Sequence, residues 1–149
     1  MHISTKKGEL AWAAGFLDGE GNFGCSRLKR KFTTSYVFNI TAMQIDRRPL
    51  DRLASILGGS VTGPYKSSGL GTKMPYSWTV GGFPRGQAVV AAMWSFMSEP
   101  KQEQARLALG MYLTNFRSKI HPQHSWCKIC APEIYQRVAD GVSQSRRKS

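Results

Sequence analysis

Ala13-Ala14-Gly15-Phe16-Leu17-Asp18-Gly19-Glu20-Gly21 carries an apolar helical run into two carboxylates and stops it with glycine. Just upstream and within it, Leu10, Ala11, Ala14, Phe16 and Leu17 suit a helix from Gly8 to Asp18, closed by Gly19 and Gly21. Gly19-Glu20-Gly21-Asn22-Phe23-Gly24 also matches the nucleotide-binding spacing G-x-G-x-x-G. That loop requires a strand before it and a helix after it. Here the order is reversed, which would turn a phosphate toward the carbonyl end of the helix, so the nucleotide reading is rejected.

Asp18 and Glu20 sit where a helix ends, and carboxylates there oppose the macrodipole by about 0.3–1 kcal/mol each unless a cation joins them. The bland alternative is a pair of solvated acids with the glycines acting as C-caps. Ala11, Gly15 and Gly19 fall at four-residue intervals, and Ala14 widens the same smooth stripe. Small residues at that spacing let two helix backbones approach closely. If the partner is the same helix from a second copy, a two-fold axis brings two Glu20 side chains together, and these repel unless divalent metal lies between them.

Working outward, a strand is expected from Asn22 to Arg30, a turn over Lys31 to Ser35, and a second strand from Tyr36 to Gln44. Phe23, Cys25 and Leu28 cannot all face the core unless the first strand carries a bulge. Pro49 just inside a helix start, then Leu50, Leu53, Ile56 and Leu57, with Gly58-Gly59 as the stop, make a second helix. Ser60 to Lys66 and Tyr76 to Val80 read as a second hairpin, and Gln87 to Met97 and Lys101 to Phe116 as helices separated by Pro100. The order is helix, two strands, helix, two strands, helices, with no internal repeat. The expected division is a core over residues 1–120 and an extension over 121–149 that ends in a basic tail.

Composition narrows the partner. The 149 residues suit one ordinary domain with a tail. Lys and Arg number 21 against 9 Asp and Glu, a formal charge of +12. Such a surplus repels itself unless a polyanion neutralises it, which puts nucleic acid first and an anionic membrane surface second. A hydrophobic content of 41% excludes a disordered basic tail. No apolar run approaches the roughly 20 residues that span a bilayer. Leu10 to Leu17 follows Lys6 and Lys7 as a short signal peptide would, but it runs into Asp18 and Glu20 without a cleavage site, so an intracellular protein is expected. Cys25, Cys127 and Cys130 are too few and uneven for a disulfide framework.

Ala13 to Gly21 resembles the LAGLIDADG signature, with Ala13 for its first Leu, Phe16 and Leu17 for Leu-Ile, Gly19 for Ala, and Glu20 for the second acid. The element order is also that of the family's core. The resemblance implies an α+β chain with the αββαββα homing-endonuclease fold, extra C-terminal helices and a four-stranded antiparallel DNA-binding sheet. It implies a site-specific double-strand DNA endonuclease, with no small-molecule substrate, in which Glu20, with Gly19 beside it, holds Mg²⁺ or another divalent cation such as Mn²⁺ or Ca²⁺. Gln44 would hold the water network near the cut phosphate, and Lys101 would stabilise charge developing on it. A surface strand glutamine and a solvated lysine are the plain alternatives. A single motif per chain implies a homodimer on a near-palindromic target, with Ala11, Ala14, Gly15 and Asp18 at the interface and Asp18 bracing the helix end. An RNA-splicing maturase or a non-cleaving DNA-binding regulator would keep the same fold, but Glu20 and Lys101 together favour cutting.

Two antiparallel hairpins would lay one sheet face in the major groove, where polar and basic side chains read base edges and other cations grip phosphates. The candidates are Ser26, Arg30, Asn39, Thr41, Lys66, Ser77 and Thr79, with Lys29, Lys31 and Lys73 on phosphates. His121, His124, Cys127 and Cys130 recur every third residue and are zinc-ligand types. Ordinary fingers separate their ligand pairs more widely. Zn²⁺ therefore needs a tight knuckle or ligands shared across a dimer, and the spacing favours a polar loop with Trp126 packed down. If that cluster and the charge were the whole case, a zinc-stabilised RNA-binding protein would be the reading.

Overall fold

The computed structural model describes residues 2–29, 31, 34–66 and 71–123, with helical side chains through residue 115. Two compact units divide the chain, Met1–Tyr112 and Leu113–Ser149. The elements run α1 (Lys7–Glu20), β1 (Gly21–Lys29), β2 (Thr34–Gln44), α2 (Arg47–Leu57), β3 (Ser60–Thr62), β4 (Tyr76–Gly81), α3 (Phe83–Met93), a 3₁₀ turn (Trp94–Phe96) and α4 (Glu99–Gln123). The αββαββα order and the α+β class expected from the sequence are what the chain adopts. The second unit is described only for the last turns of α4, and α4 also runs through the boundary expected after residue 120. No helix among the described residues is long and apolar enough to cross a membrane.

The sheet is antiparallel in the order β1-β2-β4-β3. Side chains alternate across it, so one face takes Phe23, Phe38, Ile40, Ala42, Trp78 and Val80, all buried. Against these pack Leu10, Ala13, Ala14 and Leu17 of α1, Leu50, Leu53, Ile56 and Leu57 of α2, Val89, Val90 and Met93 of α3, and Ala105 and Ala108 of α4. Trp78 is fully buried, and its indole Nε1 donates to the Gly58 carbonyl at 2.9 Å, which ties the end of α2 to β4. Gly59 follows at φ 87°, where a Cβ would meet the Thr79 carbonyl at 2.7 Å. Only glycine fits that corner.

The strand β1 carries no bulge. Gly21 to Lys29 pair one-for-one with Ala42 to Thr34, so Leu28 simply stands on the other face, 44% exposed. Helix boundaries also move. The helix α1 extends to Glu20 because Gly19 stays helical and the chain turns only at Gly21. The third helix starts at Phe83 and not Gln87, with Pro84 in its first turn, where the missing N–H has no intrahelical acceptor to lose. It stops at Met93, four residues short of the expected end, because Trp94 to Phe96 tighten into 3₁₀ geometry. Pro100 sits within the first turn of α4 and does not interrupt it.

Gly86 lets α3 settle onto the sheet, since a Cβ there would overlap the Phe38 ring. Gly86→Ala is expected to cost about 1–3 kcal/mol through overpacking, read by equilibrium urea unfolding. At the start of α2 the Asp46 carboxylate accepts from the Arg48 backbone N–H at 3.0 Å and pairs with its guanidinium at 2.6 Å. These contacts, the side chain first, hold the carboxyl down to about 2 from its ordinary 3.8. A carboxyl lowered on folding stabilises above its unfolded value and loses that contribution as pH falls toward the folded one. The stability difference between the wild type and Asp46→Asn should therefore shrink between pH 4 and about 2 in thermal unfolding.

Candidate functional site

The helix α1 ends on the rim of the sheet. Glu20, its last residue, and Gly19 are exposed, while Asp18 is half-buried. Both Asp18 carboxylate oxygens accept from the Ser98 backbone N–H at 3.2 Å, which braces α1 against the entrance to α4. Gly21 then turns the chain with no room for a side chain, since a Cβ would lie 2.6 Å from the Leu17 carbonyl.

Lys101, in the first turn of α4, reaches back to this corner. Its Nζ donates to the Gly21 carbonyl at 2.5 Å and to Gln104 Oε1 at 3.3 Å. A cation at the carbonyl end of a helix favours the dipole that Asp18 and Glu20 oppose. Gln104 Nε2 donates in turn to Asn22 Oδ1 at 3.1 Å. Gln44 ends β2 opposite Tyr76, two residues past the Gly21–Ala42 pair, so it stands at the same end of the sheet as Glu20. Glu20, Gln44 and the Lys101 ammonium, separated along the chain, thus stand at one end of the sheet.

The solvent face of the sheet is polar. Cross-strand pairing sets Asn22, Thr41, Thr79 and Ser60 in one row, Gly24, Asn39 and Gly81 in the next, and Met43, Ser77 and Thr62 on the other side. Ser26, Asn39, Thr41, Ser77 and Thr79 therefore share this face. Lys29 has the opposite parity at the far end of the β1–β2 hairpin, Lys31 follows in the connection, and Lys66 and Lys73 are exposed between β3 and β4. Arg30, His124, Cys127 and Cys130 lie outside the described residues, as does the side chain of His121. Neither the zinc reading nor Arg30 is addressed by this geometry.

One expected interface residue is corrected. Ala14 is fully buried in the chain's own core, because it shares a helical face with Leu10 and Leu17, and it cannot meet a partner. Ala11, Gly15 and Gly19 are exposed, and a Cβ at Gly15 or Gly19 would touch nothing within 4 Å. Asp18 is engaged inside the chain by Ser98. Phe16 is half-buried and stacks on Trp12 at 5.4 Å, with the Arg52 guanidinium 4.0 Å above the Trp12 ring.

No protein-family profile and no curated protein matches the sequence. Solved structures do. The homing endonuclease I-CvuI in complex with its target aligns with a TM-score of 0.63 at 19% identity over 86% of this chain and 80% of that one. The archaeal intron-encoded homing endonuclease I-Vdi141I complexed with DNA aligns at 0.60 and 18% identity over 86% and 82%. The LAGLIDADG homing endonuclease I-GzeII in complex with a DNA target aligns at 0.60 and 14% identity over 92% of this chain and 43% of that one. This chain has the LAGLIDADG homing-endonuclease fold.

Within that LAGLIDADG fold, sequence reasoning missed two side chains of the corner, Asn22 and Gln104. Asn22 had a signal, because starting the alternation at Gly21 puts Asn22 on the face opposite Phe23. Gln104 had none beyond its position one turn after Lys101. The two acids separate by their surroundings. Asp18→Ala orphans the part-buried Ser98 N–H and should cost about 1–3 kcal/mol. Glu20→Gln removes an exposed charge from the wrong end of a helix and should leave stability unchanged or raise it by up to about 1 kcal/mol, both measured in urea.

Proposed function

We propose that this protein is a site-specific DNA endonuclease that hydrolyses phosphodiesters with a divalent metal, acting as a homodimer on a near-palindromic duplex. The carrying observation is that the Lys101 ammonium is hydrogen-bonded to the carbonyl beside Glu20, at the edge of a polar sheet face on a chain of charge +12. DNA binding alone requires neither that acid nor that cation in one corner. The likeness to I-CvuI and I-Vdi141I, solved with DNA, supports the reading.

Four strands about 4.8 Å apart make a ribbon on the scale of a major groove about 12 Å wide. The hydroxyl and amide rows on its open face would meet base edges, and the lysines at its ends would grip phosphates. Exposed carboxylate and carbonyl oxygens at Glu20 and Gly19 suit a hard cation such as Mg²⁺. Among the described residues no three His, Cys, Asp or Glu side chains cluster. One copy would supply part of a shell, and Glu20 of a second copy together with phosphate oxygens would complete it. Such a cation, when bound, activates water and stabilises both the attacking and the leaving oxygen. Lys101 would face the developing phosphate charge, and Gln44 would orient water. Exposed Ala11, with Gly15 and Gly19 and the open space beside those two glycines, would be where two α1 helices touch.

Glu20→Gln should abolish cleavage in Mg²⁺ of duplexes selected by the wild type from a random pool, while binding in Ca²⁺ persists. Unchanged cleavage would remove Glu20 from the mechanism. Sedimentation of the bound complex should give two chains per duplex, and binding should weaken steeply with salt as condensed counterions are released.

A further inference from the structure

An ammonium has three donors and no acceptor, and at this corner that restriction propagates through two amides. Because Lys101 Nζ donates to Gln104, the glutamine must turn Oε1 toward it and Nε2 away. Nε2 meets Asn22 Oδ1, so the asparagine is oriented in turn, with Nδ2 left to face outward. Asn22 is exposed at the head of the row it shares with Thr41, Thr79 and Ser60. Nδ2 has no hydrogen-bond partner among the described residues, and Gly24 keeps the space beside it clear: a Cβ there would stand 3.3 Å from Asn22 Nδ2 and from Asn39 Oδ1. The row's hydroxyls rotate and serve as donor or acceptor alike. Asn22 is the member of that row whose polarity is set.

We propose that Gln104 is a positioning residue that locks the Asn22 amide as a donor toward a base-edge acceptor near the cut, so that Lys101 fixes the polarity of a specificity contact. The proposal rests on the endonuclease reading above. A fixed donor favours the purine N7, guanine O6 or thymine O4 and rejects the amino group of cytosine.

The test selects duplexes from a randomised pool in Ca²⁺ with the wild type, Gln104→Glu and Gln104→Met. A carboxylate at 104 accepts from both Lys101 and Asn22, which forces the asparagine to flip and present Oδ1. The expected result is a shift of about tenfold or more in base preference, at one position per half-site, toward cytosine. Gln104→Met should lose the preference there without acquiring another, and all other positions should stay as in the wild type. Asn22→Asp imposes the same reversal from the other end of the relay, should Gln104→Glu fail to fold. An unaltered preference in the reversing variants, or a uniform loss of affinity across sequences, overturns the proposal. If the wild type enriches no duplex, the endonuclease reading fails and takes the base contact with it. The relay is then judged by nuclear magnetic resonance: Gln104→Met must displace the Asn22 side-chain amide signals, and unmoved signals overturn it as well.

Discussion

The turn at Gly21 is the constraint from which the rest of the molecule follows. A side chain there would collide with the Leu17 carbonyl, so the strand leaves the helix as close to it as a backbone can. That closeness buries Leu17, leaves Glu20 on the rim, and starts β1 in the parity that sends Phe23 inward and Asn22 outward. One steric fact thus orients an acid, a core residue and the first side chain of the polar face together.

Electrostatics then holds the corner in place. Two acids at a helix C-terminus are unfavourable by themselves. Asp18 is compensated by the Ser98 N–H, and the carbonyl end of the helix by the Lys101 ammonium on Gly21. Both compensations come from the approach to α4 or its first turn, so the segment that completes the site also relieves its internal conflict. Glu20 is left exposed at the end of the helix, with no partner among the described residues.

The two faces of the sheet divide the remaining labour. The inner face, built around Trp78, Phe38 and Ile40, fixes strand order and register against the four helices. Because register slips would exchange the faces, the same packing that stabilises the fold also keeps Asn39, Thr41, Ser77 and Thr79 pointing outward. The orientation of the polar face is thereby secured by burial on the apolar one.

The sequence by itself determined the order of elements, the acidic helix ending and the polar outer rows, because these are local matters of spacing, alternation and glycine placement. Helix ends at Glu20, Phe83 and Met93 were less legible, since they depend on where caps and 3₁₀ turns relax, and spacing left open which of Phe23, Cys25 and Leu28 faces outward until pairing settled it. Only the tertiary structure decided that Ala14 faces inward, that Lys101 meets Gly21, and that Gln104 links that lysine to Asn22. These are contacts across some eighty residues, or between helix faces that spacing alone leaves equivalent. Such relations are set by how layers pack, and no local pattern in the chain encodes them.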